Sequence, residues 1–121
     1  MKPTDIIRAN AQQQGVSPEA VVGGVGKAIQ EKRSFIIQEN DTVLVATLIG
    51  PGTIDLHMFT MDPPMTLVKS IAKALEQIKR ARFIHVIYVQ SKDPQIKRLM
   101  DLAGWQPQHS DKLGYDWMIR I

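Results

Sequence analysis

The pattern of apolar and polar positions predicts two helices at the start of the chain and a group of strands after them. Apolar residues at helical spacing indicate a first helix from Asp5 to about Gln14, and Ser17-Pro18 has the residue types that open a second helix. Three further segments carry β-branched or alternating apolar residues and are separated by turn residues: 34–40, 42–49 and 53–60. They predict an antiparallel meander.

The stretch from Phe83 to Trp105 has the most regular pattern in the chain. Its first part, 83–90, is mostly apolar and predicts a strand buried on both faces. Asp93-Pro94 then supplies a capping carboxylate and a proline at the first helical position. The apolar face of the helix that follows consists of Ile96, Leu99, Met100 and Ala103. Gly104 is expected to end this helix in the left-handed conformation.

A long helix from Pro64 to about Arg80 joins the third strand to the strand at 83–90. Such a connection is normally a right-handed crossover, so these two strands are expected to pair in parallel. Residues 115–121 alternate and predict a last, antiparallel strand. The order α-α-β-β-β-α-β-α-β predicts one α+β domain over residues 1–121, with about four helices on a mixed sheet.

Three glycines lie inside the predicted second helix: Gly23, Gly24 and Gly26. Each is expected to destabilise a helix by about 1 kcal/mol relative to alanine. We therefore expect close packing of this helix, or a break in it. The segment does not match a phosphate-binding loop, because Val21 replaces the first glycine of that motif and Ala28 replaces its Ser/Thr.

The composition excludes several kinds of chemistry. There is no cysteine, so disulfides, thiolate metal sites and cysteine nucleophiles are excluded. His57, His85 and His109 lack the spacing of a helical metal site, and we expect no metal. No apolar run approaches the roughly 20 residues of a membrane span, and no signal-peptide pattern opens the chain. We expect a location in the cytoplasm or in an assembled particle.

The net charge of +3 is unevenly distributed. Between Lys69 and Arg98 eight basic residues face two acidic ones, so this segment carries +6 and the rest of the chain −3. Such a segment is typical of solvated helix faces. It is also what a site for polyanions requires, either nucleic acid or the phosphates of a cofactor.

The order of elements resembles the GNAT (N-acetyltransferase) superfamily without its usual first strand. Many members carry Asn-x-x-Ala-x-x-Leu-Tyr-x-x-x-Gly-Phe in the helix and turn after the fifth strand. The same register here reads Asp93, Ile96, Leu99, Met100, Gly104 and Trp105. In size and missing strand the chain is most similar to small GNAT-like proteins of tailed bacteriophages.

The chain departs from the family at two functional positions. Family members bind the pyrophosphate of acetyl-CoA with backbone N–H groups of a glycine-rich loop, where this chain has MDPPMTLVKS at 61–70. Two prolines remove two N–H donors there, and Asp62 adds a negative charge. The tyrosine that often protonates the departing thiolate is replaced by Met100.

The resemblance implies a set of site residues if the protein is active. Asp55 and His57 would be candidate bases, and Tyr88 or Tyr115 would supply a proton. The acyl-CoA would lie between the strands that end at Thr60 and Gln90. The cofactor-binding residues would be Thr60, Met65, Thr66, Lys69, Lys92 and Asp93. Asp55 and His57 are equally typical of the polar face of an alternating strand.

The departures favour a non-catalytic GNAT-fold protein without a cofactor. It would act through contacts with other proteins, such as phage structural proteins in a virion or a second copy of itself. Its exposed contact residues would be Met61, Met65, Trp105 and Tyr115. The alternative is an acetyl-CoA-dependent N-acyltransferase with an altered cofactor loop. A third hypothesis is nucleic-acid binding through the basic segment Lys69–Arg98.

Overall fold

The computed structural model describes residues 1–31 and 33–121. Its four helices are α1 (Pro3–Gln13), α2 (Pro18–Gln30), α3 (Pro64–Arg80) and α4 (Pro94–Leu102). Its six strands are β1 (Ser34–Glu39), β2 (Thr42–Gly50), β3 (Thr53–Thr60), β4 (Val86–Val89), β5 (Gln108–His109) and β6 (Trp117–Arg120). They form one mixed sheet in the order β1-β2-β3-β4-β6-β5. The predicted α+β class is confirmed.

Strand pairing follows the predicted topology. β1, β2 and β3 form an antiparallel meander. β3 and β4 pair in parallel from Thr53 with Val86 to Leu56 with Val89, as expected for strands joined through α3. β6 pairs antiparallel with β4. The parallel pair therefore lies between two antiparallel regions.

Helices cover both faces of the sheet. α3 and α4 pack on the face that carries Leu44, Ile54, Leu56 and Ile87, and this side holds the larger apolar core. α1 and α2 pack on the opposite face through a smaller cluster that includes Ile6, Ile7, Val43, Val45 and Phe59. Because strand side chains alternate, neighbouring residues of β3 belong to different layers.

The strand predicted at 83–90 is shorter than expected. Phe83 is 56% exposed, and β4 begins only at Val86. Before it, the N–H groups of His85 and Val86 both donate to the Gly52 carbonyl, at 2.7 and 3.2 Å. The chain is therefore still entering the sheet at His85. β5 was not predicted, because its two exposed residues carry no apolar alternation.

The expectation for the glycines of α2 is wrong. The helix is continuous from Pro18 to Gln30, and a Cβ atom at Gly23, Gly24 or Gly26 would meet nothing within 4 Å. Neither close packing nor a break explains these residues. Ser17 caps the helix as predicted, accepting a hydrogen bond from the Ala20 N–H.

Gly52 connects the β2–β3 turn to the start of β4. Its backbone has a φ of +64°, and a Cβ there would lie 2.7 Å from His85 Cδ2 and 2.9 Å from the Phe83 carbonyl oxygen. A side chain at this position would meet both conformational strain and a backbone atom that cannot move aside.

We expect Gly52→Ala to destabilise the fold by about 2–5 kcal/mol, from left-handed strain together with overpacking. Gly15→Ala is the matched control, because Gly15 has a φ of +72° and open space around it. The Gly15→Ala substitution should lower the free energy of unfolding by about 1–2 kcal/mol, from backbone strain alone. Urea unfolding measures both, and equal losses would show that the close approach at Gly52 contributes nothing.

Candidate active site

A cleft opens where β3 and β4 separate. Their parallel pairing ends at Leu56 and Val89, yet β3 continues to Thr60 while the chain after Val89 turns toward α4. The space between them is a cavity of about 240 Å³. Its lining is mostly apolar and includes Leu56, Met58, Val89, Ile96, Leu99, Met100 and Trp105. The separation of two strands, and not a loop, creates this cleft.

The cleft is lined by residues from both faces of the sheet. Met58 lies on the side of α3 and α4, whereas Phe59 packs in the cluster beneath α1 and α2. Both line the cleft, together with His57 and Gln90. A ligand in the cleft would therefore contact groups on both sides of the sheet.

The backbone of Met58 points into the cleft. The Met61 N–H donates to the Asp41 carbonyl at 2.9 Å, which places the N–H and C=O of Met61 toward β2. Because backbone groups alternate in direction along a strand, those of Met58 point the other way, toward β4. β4 has already diverged at this level, since its last paired residue is Val89. The cleft thus contains one backbone donor and one acceptor.

Asp55, His57 and Tyr115 form a polar cluster beside the cleft. The Tyr115 hydroxyl donates to Asp55 Oδ2 at 2.8 Å. His57 Nε2 lies 3.8 Å from the same oxygen, and its side chain is 56% exposed. Asp55 Oδ1 is buried and has no hydrogen-bond partner within the described residues. The structure brings the two predicted bases together.

Tyr88 lies on the same face, across the parallel pair from Asp55. Its ring is 5.4 Å from that of Tyr115, and its hydroxyl donates to Asp111 Oδ1 at 2.7 Å. This hydrogen bond, burial and the charge of Asp111 raise the pKa of Tyr88. Burial and the hydrogen bond to Asp55 raise the pKa of Tyr115 to about 12. Both tyrosines keep their protons at neutral pH.

The predicted cofactor-binding residues divide into two groups. The side chains of Thr60, Lys92 and Asp93 already have partners: Thr60 bonds with Thr42, Lys92 with Asp116 at 2.5 Å, and Asp93 with the Gln95 N–H that it caps. Met65, Thr66 and Lys69 lie in the first two turns of α3, where Met65 is 78% exposed. Only this second group remains available for a ligand.

Asp62 has a structural role that the sequence did not reveal. Its carboxylate accepts hydrogen bonds from the Asp41 N–H, the Thr42 hydroxyl and the Ser70 hydroxyl, at 3.2, 2.6 and 3.0 Å. Ser70 is fully buried and also accepts from Asn40. This network ties the start of α3 to the β1–β2 turn, so the negative charge does not simply face an incoming ligand.

Two other polar groups behind the cleft were missed in the sequence. Asp116 accepts from Lys92 and from the Ser91 N–H, and these contacts, Lys92 foremost, lower its pKa. Asp111 holds Tyr88. Both residues lie in the loop between β5 and β6, where no periodic pattern identifies a role. In the sequence, the only indication of a role was that the loop is polar and contains these aspartates.

Of the predicted contact residues, Trp105 is placed wrongly. It is 4% exposed, lines the cleft, and donates its indole N–H to the Ile71 carbonyl at 2.9 Å. The two remaining histidines lie apart from the polar cluster: His85 lies against Gly52, and His109 stacks on Trp117.

Residues 1–31 and 33–121 contain neither a cluster of metal ligands nor a membrane-spanning helix. No group of three or more metal-ligating side chains occurs among them. None of their helices has the length and apolar character that a membrane span requires.

The architecture is that of a GNAT-like α+β fold. The structure is similar to the crystal structure of the microcin C7 self-immunity acetyltransferase MccE in complex with acetyl-CoA and AMP. The TM-score is 0.61 at 10% sequence identity, over 98% of this chain and 84% of that one. No family profile and no curated protein matches the chain. The comparison supports the fold, and it does not extend to the bacteriophage proteins.

The expectation of a non-catalytic protein without a cofactor is wrong. It rested on the altered phosphate loop and on Met100, but the similar structure is an acetyltransferase that was crystallised with acetyl-CoA. The cleft between β3 and β4 is also open rather than filled by side chains. Both findings favour the acyltransferase alternative.

The raised tyrosine pKa values predict a loss of stability at alkaline pH. Tyr115 titrates near 12 in the folded state and near 10 when unfolded, so its stabilising effect is complete below pH 10 and is lost as the pH rises through 12. We expect Tyr115→Phe to flatten the decline in unfolding free energy across this window. Urea unfolding at several pH values measures it, with Tyr88→Phe for comparison. An unchanged decline in Tyr115→Phe would contradict the assignment.

Proposed function

We propose that the protein is an N-acyltransferase that takes its acyl group from a pantetheine thioester such as acetyl-CoA. The open, mostly apolar cleft between β3 and β4 is the observation that carries this proposal. His57 lines the cleft and lies beside the Asp55 carboxylate, and a positioned histidine can accept the proton that an amine loses in acyl transfer. An enzyme of this kind would work in the cytoplasm, where acyl thioesters are made.

The residues of the cleft fit the arm of such a donor. A pantetheine arm alternates amides with short apolar links, and the cleft offers apolar side chains together with the N–H and C=O of Met58. The fit is poorer for the diphosphate, because Pro63 and Pro64 provide no N–H groups. When bound, the donor supplies an acyl carbon that is activated toward an amine.

We assign His57 as the base that accepts the proton of the attacking amine. It lines the cleft, and the imidazolium that it forms would lie 3.8 Å from the Asp55 carboxylate, which stabilises the positive charge. Tyr115 holds Asp55 in place through its hydroxyl. Tyr88 is a positioning residue for the β5–β6 loop, because its proton is engaged by Asp111.

Acetyl-CoA should stabilise the folded protein, since a ligand at about 100 times its Kd adds about 2.7 kcal/mol. Ile96→Trp, which places a larger side chain in the cleft, should abolish the shift in Tm. Ile29→Trp is the matched control, because Ile29 is exposed on α2. No shift in the wild-type protein at millimolar ligand would overturn the proposal.

His57→Gln and Asp55→Asn should each lower kcat by about 100-fold or more while leaving thioester binding intact. Acyl transfer to a panel of amines measures kcat, and calorimetry measures binding. Both variants keep the size of the side chain, so a loss of binding in parallel with kcat would indicate a structural defect instead of a chemical role.

A further inference from the structure

We propose that the cleft recognises its donor through the pantetheine arm alone, and that an acidic carrier protein delivers this arm by docking on α3. The inference rests on the proposed function and concerns which molecule carries the thioester. A carrier protein with a phosphopantetheine group is the donor that matches the three features of this site: a narrow apolar cleft, few groups that could hold a nucleotide, and an exposed basic helix face.

The N-terminus of α3 has few groups for a diphosphate. Pro63 and Pro64 lack N–H groups, and the Leu67 N–H already donates to the Pro63 carbonyl at 2.8 Å. Met65 and Thr66 provide the remaining amides of the first turn. Asp62 lies beside them and partly cancels the positive end of the helix. Two amides suit one phosphate group better than the three phosphates of coenzyme A.

The N-terminus of α4, the helix that supplies Ile96 and Leu99 to the cleft, is closed to anions. Pro94 has no N–H, and the Gln95 N–H donates to the Asp93 carboxylate at 2.9 Å. Lys92, two residues before Pro94, pairs with Asp116. The Ile96 N–H also donates to the Asp93 carbonyl, so the first turn of α4 offers a nucleotide no free N–H group.

The exposed face of α3 carries a basic stripe, formed by Lys69, Lys73 and Arg80. These residues point away from the apolar face of the helix, and none forms an ion pair with another described residue. At 1.5 Å per residue the stripe is about 16 Å long and begins about 8 Å from the start of α3. Glu76 is the one acidic residue of this helix.

Charge complementarity selects the partner. An acidic helical surface would be attracted and oriented by the basic stripe. It would place a phosphopantetheine group near the start of α3, which begins four residues after the end of β3, one of the two strands that border the cleft. The single phosphate of that group would meet the two free amides of α3. A nucleic acid could also bind a basic stripe, but its binding would not account for the apolar cleft.

The first test compares ligands without a carrier. Calorimetry and thermal melts should give Kd values for 4′-phosphopantetheine and coenzyme A within about threefold of each other, because the nucleotide half adds no favourable contact. If coenzyme A binds more than about 30-fold more tightly, the inference fails while the proposed function stands. If neither binds at millimolar concentration, the proposed function itself fails.

The second test concerns docking and uses a holo acyl carrier protein of negative net charge. Lys73→Glu/Arg80→Glu should weaken carrier binding at least about tenfold. Binding of 4′-phosphopantetheine should stay unchanged in this variant. Arg8→Glu/Lys27→Glu is the control, because it makes the same charge change on exposed positions of α1 and α2. Equal effects of the two double variants would show that only net charge matters and would overturn the docking site.

A third test asks whether the basic stripe binds nucleic acid instead of a carrier protein. A short single-stranded DNA should bind more weakly than the holo carrier at physiological salt. If the DNA binds more tightly, and Lys73→Glu/Arg80→Glu abolishes its binding, the stripe is a nucleic-acid site and the inference is overturned.

Discussion

The parallel pairing of β3 with β4, and its end after Leu56 and Val89, is the constraint on which the rest of the structure depends. Gly52 fixes where the pairing starts, because its carbonyl receives the first two N–H groups of the β4 region. Beyond Val89 the strands diverge while α3 and α4 stay packed on one face. The cleft is therefore built into the sheet and does not depend on a mobile loop.

The sequence predicted elements with strong periodicity or clear capping residues. β3 was placed at its observed bounds, and α3 and α4 within a residue or two, because prolines mark both helix starts. β5 was missed because two exposed residues form no pattern. The shortening of β4 was missed because Phe83 and Ile84 are apolar like the strand residues, yet they lie before Val86, the first paired residue.

The site was harder to predict than the fold, for a physical reason. Asp55 and His57 could be proposed from alternation, but their closeness to Tyr115 depends on β6 returning beside β4. Asp62 looked like an obstacle to a ligand until its three hydrogen bonds were seen. Residue types show which groups are absent from a motif, whereas a gap between strands is a property of the backbone.

The backbone groups of Met58 have a consequence for how such a protein can change. A binding contact made by the main chain is fixed by strand direction and register, so nearly any residue that keeps β3 in place preserves it. Side chains around the cleft can then drift far without erasing the contact. The chain shares its architecture with MccE at only 10% identity. At Met58, selection would therefore act on the direction and register of β3 more than on the identity of the side chain.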